Sequence, residues 1–150
     1  GFPNERRTMN LVLFTLSLHV LVAVLGVGTI AALPLSVRSA RRAGLALDAL
    51  AAWALPLLLM ARVSLLLGLL SGALLDFVAH GPFHEAWWFR LSGLLVVVTA
   101  LCLGRGRAAL IRGLSGGLTA KVALRRIESW GFTSVITVAC IVLLMVWKPF

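Results

Sequence analysis

The sequence predicts an all-α fold, a bundle of four transmembrane helices, and three observations predict it. Hydrophobic residues make up 61% of the 150 residues and the mean hydropathy is +1.04, whereas soluble domains are about half apolar. Four apolar runs, about residues 11–33, 50–79, 86–104 and 131–147, approach or exceed the length needed to cross ~30 Å of hydrocarbon at about 1.5 Å per residue. Nine of the 14 basic residues sit in the connections after the first and third runs: Arg38, Arg41, Arg42, Arg105, Arg107, Arg112, Lys121, Arg125 and Arg126. Basic juxtamembrane segments follow the positive-inside rule and attract anionic headgroups. The chain therefore reads as one transmembrane domain, residues 1–150, in the bilayer of a cytoplasmic membrane. Both termini are expected outside and the basic connections in the cytoplasm. The charge, formally +9, is distributed for a membrane surface and not for nucleic acid.

The first run, Leu11 to Leu33, carries no charge and exceeds a signal-peptide core, so a retained helix is expected, ending at Pro34. Met9 is a candidate natural start, which would make Gly1 to Thr8 an extension. The second run is nearly unbroken from Leu50 to Leu75, with Pro56 as an expected kink and Arg62 near its middle. Gly68 and Gly72 make a small-xxx-small pair on it, a face suited to another membrane subunit. A polar turn over Asp76 to Glu85 leads to the third run, whose Arg90 can snorkel from its start. Gly104 to Gly131 is the longest expected connection, with a hinge at Gly116-Gly117 and a short cytoplasmic interfacial helix over residues 118–130. There Ala120, Ala123, Leu124, Ile127 and Trp130 share one face. The fourth run ends at Trp147. Trp53, Trp87, Trp88, Trp130 and Trp147 lie near run ends, as an aromatic belt should. Cys102 and Cys140 fall at different depths and are expected as two separate buried thiols.

Two intramembrane residues carry the candidate cofactor site. An arginine in hydrocarbon must be satisfied, so Arg62 points to an anionic group such as a porphyrin propionate; the alternatives are carbonyls near the Pro56 kink or a neighbouring subunit. His19 shares its face with Thr15, Ala23 and Gly26. A neutral imidazole there can ligate haem or metal or relay protons; the alternative is a histidine hydrogen-bonded across helices to a serine, threonine or carbonyl. With antiparallel spans, Arg62 is expected ~8 Å deeper than His19, within reach of a bridging ligand. His80 and His84, near Asp76 and Glu85, form a candidate copper or zinc site in the outer turn, although Gly81-Pro82 breaks any helix between them. Gly26-Val27-Gly28-Thr29-Ile30-Ala31 matches a dinucleotide fingerprint only in letters, since no strand precedes it. Walker, nucleophile-elbow and zinc-protease motifs are absent, which excludes soluble-enzyme chemistry, and no repeated halves suggest a carrier.

From His19 to Gly28, read as His-Val-Leu-Val-Ala-Val-Leu-Gly-Val-Gly, the chain resembles small bacterial membrane proteins with a histidine early in the first helix. These are the CopD-type copper-resistance proteins, the HemJ-type protoporphyrinogen oxidases and a related family of integral membrane proteins of unknown function. The ending Leu144-Met-Val-Trp-Lys-Pro-Phe150 is similar to the close of that last family. The resemblance implies a four-helix bundle of the bacterial inner membrane, with His19 as the counterpart of a haem-ligand candidate. Two features depart from the oxidase branch: Gly26 stands where a tryptophan is usual, and the third run has no lysine. The expectation is thus a redox-associated membrane protein binding b-type haem or copper near His19 and Arg62. Its alternative is a non-catalytic accessory or assembly subunit of a larger membrane complex.

Overall fold

The computed structural model describes residues 3–79, 81 and 85–147, and side chains from residue 9 onward. Four helices follow one another: α1 (Pro3–Arg42), α2 (Leu47–Val78), α3 (Trp87–Leu114) and α4 (Ala120–Trp147). All four are long and apolar enough to cross a membrane, and the chain is a multi-pass membrane bundle. Gly44 and Gly116, with φ of 67° and 78°, supply the left-handed backbone that turns α1 into α2 and α3 into α4.

Neighbours in sequence pack as antiparallel pairs, α1 on α2 and α3 on α4, and α1 closes on α4; α2 and α3 touch least of the four adjacent pairs. Small residues set the register. Gly26 lies against Ser64, and His19 against Ser71 and Gly72, along α1–α2. Thr99 meets Thr137, Gly106 meets Trp130, and Gly113 meets Ala123 along α3–α4. Pro34 packs on Gly131, where a Cβ added to the glycine would lie 3.0 Å from the proline ring. Such close approach supplies the dispersion contacts that hold helices together where lipid removes the hydrophobic drive.

The core is packed at one end of the bundle only. Large side chains fill the end that carries the basic residues: Leu33, Val37, Leu50, Leu58, Leu103, Leu110 and Ile127 are all buried. Leu47 of α2 reaches Gly113 of α3 at this end, so the two hairpins converge there. Toward the other end glycines and serines (Gly26, Ser64, Gly68, Gly72, Ser92, Gly93) are interspersed among the larger facing residues, and the hairpins part around a cavity.

Several sequence expectations change here. α1 continues through Pro34 to Arg42, because membrane helices tolerate proline when neighbours hold the adjoining turns. Val37 and Ala40 are buried, and Arg38 and Arg41 pair with Glu128 of α4 at 3.9 and 3.0 Å. The expected long connection shrinks to residues 115–119, since α3 runs on to Leu114 and α4 starts at Ala120. Residues 120–130 are therefore the first turns of α4 and not a separate interfacial helix. Of the expected apolar face, Ala123, Leu124 and Ile127 are buried against the bundle, Trp130 is half-buried and Ala120 is exposed. Cys102 is buried as expected, whereas Cys140 is exposed on the outside of α4; neither forms a disulfide.

Candidate functional site

The cavity between the parted hairpins has a volume of about 440 Å³, and all four helices contribute to its wall. Its lining is almost wholly apolar and runs along α1 from Leu16 to Ile30, roughly 21 Å at the helical rise. His19, Ser64 and Ser92 are the polar residues on it, and among the described residues His19 is the one ionisable group in the lining. Apolar walls with a few placed polar groups are the ordinary composition of a ligand site.

His19 is held from behind. Its Nδ1 lies 2.9 Å from the Ser71 hydroxyl oxygen, and Ser71 donates to the Gly68 carbonyl at 3.1 Å. A serine has a single hydroxyl proton; with that proton on Gly68, Nδ1–H must donate to Ser71. A neutral ring tied in this way carries its lone pair on Nε2, the tautomer that ligating histidines adopt when the other nitrogen is tied back. Gly72 makes room for it, since a Cβ there would come within 3.4 Å of the ring. This is the hydrogen bond across helices to a serine that stood as the alternative for His19; which serine supplies it the sequence does not say. The position of Ser71, two turns before the end of α2, gave no sign of facing His19 until the register was known.

Arg62 is elsewhere. The α1–α2 register puts it level with Gly28, nine residues or ~13 Å from His19 along the axis, so the expected ~8 Å separation is too short. It is exposed on α2 and outside the cavity lining, and among the described residues it has no hydrogen bond or ion pair. The expectation that the folded bundle itself compensates this cation is not met. Arginine at a helix centre costs about 2.5–3.5 kcal/mol on insertion scales. Pro56 is exposed as well, and the carbonyls near it do not serve Arg62 in this structure.

Gly68 and Gly72, expected to face another subunit, turn inward: Gly68 lines the cavity and Gly72 backs onto His19. They are used within the chain. His80 and His84 lie outside the described residues, and among the described residues no three His, Cys, Asp or Glu side chains gather as a metal site.

No protein-family model matches the chain, and no curated protein or solved structure is significantly similar to it.

Proposed function

We propose that the chain is a small integral membrane protein that binds b-type haem in this cavity through His19, in a redox-associated role. The observation that carries this reading is the Nδ1–Ser71–Gly68 relay, which ties back one nitrogen of a cavity-lining histidine and, in a neutral ring, leaves Nε2 as the free one. The size and apolarity of the cavity suit a large flat ligand. The cavity is open along one side, so in a bilayer such an apolar space is filled by lipid chains or by an apolar ligand. Haem bound there would supply one-electron chemistry. The protein's part would be the imidazole, its fixed orientation and a dry surround. The likeness of the His19–Gly28 segment to the CopD/HemJ-like group supports the same reading.

In this reading the protein sits in the bacterial cytoplasmic membrane with its basic end inward, as nine clustered cations require. Copper bound at His80 and His84 is a separate proposal, tested by metal analysis of the wild type beside His80→Ala and His84→Ala.

A visible spectrum of detergent-purified protein, as isolated and after haem addition, tests the main reading. We expect a Soret band that His19→Ala loses; no band under either condition, or a band unchanged in His19→Ala, defeats it. One observation favours a second reading, an accessory subunit of a larger complex: Arg62 is exposed without a partner among the described residues. That reading expects a colourless protein that co-purifies with a stoichiometric membrane partner.

A further inference from the structure

We infer that the ligand of the cavity is an acidic amphiphile, whose apolar body lies between the parted hairpins and whose carboxylate or phosphate is held by Arg62 at the α2–α3 seam. The inference rests on the cavity being a ligand site, and adds the chemical class of the ligand and the side from which it enters.

Arg62 lies fourteen residues, about 21 Å, from Asp48 and the same from Asp76, the acidic residues near the two ends of α2. No side chain spans that distance, so Arg62 does not pair with an acid of its own helix. Its depth falls inside the cavity's own range, because Ser64 and Leu65, its near neighbours in sequence, line the deep end. Its azimuth matches too. Leu69, seven residues on, and Ala73, eleven on, follow Arg62 along one side of α2, and both line the cavity.

That side of α2 looks toward α3, where the helices hold each other least. They meet at Leu47 and Gly113, and farther along Leu69 of α2 and Gly93 and Val96 of α3 line the cavity. An amphiphile can therefore enter sideways from the bilayer with its body against the small residues and its head beside the guanidinium. The two features together specify the ligand. An apolar cavity alone accepts neutral molecules, and a lone cation alone attracts any anion. A cation on the same side of α2 as the cavity lining, though not itself in that lining, selects molecules that carry both parts, because a charge-assisted pair is strong where the dielectric is low.

Two sources offer this chemistry, a lipid acid of the membrane and a porphyrin with its propionates, and paired acid and ester probes distinguish them. The full chain is placed in nanodiscs of zwitterionic lipid, and dibrominated stearic acid is titrated against its methyl ester. Quenching of tryptophan fluorescence is read, since Trp88 lines the cavity. Haem and its dimethyl ester are compared in parallel by absorbance.

We expect the acid to bind at least ~10-fold more tightly than the ester in one or both pairs. Arg62→Gln should abolish that preference while ester binding persists, and Arg62→Lys should keep part of it. Gly93→Leu, which adds bulk where nothing lies within 4 Å, should weaken acid and ester together. A preference in one pair alone supports the inference and names the source. Equal binding of acid and ester in both pairs overturns it, as does a preference that survives Arg62→Gln. Release of a stoichiometric membrane partner by Arg62→Gln, without any acid preference, also overturns it and gives Arg62 to a partner helix instead. The haem reading fails separately: a stearic-acid preference with no haem binding sinks that reading and leaves this one standing.

Discussion

Ser71 decides what His19 can do. A hydroxyl that accepts from Nδ1 and donates to Gly68 fixes both the tautomer and the plane of the ring. Removing it frees the ring without emptying the site, because Ser71 is buried behind the imidazole and outside the cavity lining. Ser71→Ala should therefore lower thermal stability by only about 0.5–1.5 kcal/mol, the usual net worth of one hydrogen bond. Under the haem reading the Soret band should shift or broaden without vanishing, which absorbance spectra of the variant beside His19→Ala will show. At the same scale Gly68 faces open space, with nothing within 4 Å of a built Cβ. Gly68→Leu should therefore fold, and it should melt at or above the wild-type temperature, since the helix gains about 1 kcal/mol over glycine. It should also compete with any ligand of the cavity, which is checked by titrating the variant with haem.

The helices hold together through small residues at fixed positions, and the positions are not equivalent. Gly113 is the tightest, with a built Cβ 2.7 Å from Ala123 and 2.8 Å from Leu47. Gly113→Ala must push α4 or α2 away at the end where the hairpins converge, so overpacking of about 1–3 kcal/mol should outweigh the better helix propensity of alanine. Gly93→Ala, on the same helix but facing the cavity, should be neutral or mildly stabilising; thermal melts of the two variants side by side test the contrast. The Glu128 pairs work at this scale as well. They join the last turns of α1 to the first turns of α4, but Arg38 and Arg41 are substantially exposed, at 47% and 36%. Glu128→Gln is thus expected to cost at most about 1 kcal/mol, less in high salt, by the same melts.

As a whole, the molecule is a bundle closed at one end and parted at the other. Large buried side chains crowd the basic end, whereas glycines, serines and a cavity occupy the opposite half. Local stability should follow that gradient, since opening is easiest where few apolar contacts must break. Amide exchange in nanodiscs should be slowest around residues 33–40, 50–58 and 103–110, and faster along residues 64–75 and 88–96. Uniform protection would count against a parted end, and slowing confined to the second set on ligand addition would place the ligand in the cavity.

How much of this was legible beforehand follows from what a one-dimensional pattern can carry. Membrane helices announce themselves, because every lipid-facing residue must be apolar over a fixed thickness; hence four spans were readable and the cations fell between them. His19 stood out for the same reason, as a polar group where polarity is costly. The ends of the helices were not readable. Pro34 looked like a stop and Gly104 like a start of loop, yet packing of Val37, Ala40, Ala109 and Leu110 extends α1 and α3 well beyond the apolar runs. Nor was the azimuth of each helix readable, since apolar residues surround a membrane helix on every side and leave little moment to read. For that reason the partner of Arg62 stays open in the sequence among a ligand, nearby carbonyls and a neighbouring subunit, and Gly68 and Gly72 are expected at another subunit. The structure leaves Arg62 exposed and turns the glycines toward the cavity and His19. Sequence alone determined the class of the molecule, its four crossings and its charged end, because water and lipid act on each residue separately. Which side chains share a cavity, which glycine backs a histidine and which cation is left exposed were decided only by the tertiary structure, because those depend on rotations and registers that helices acquire from one another.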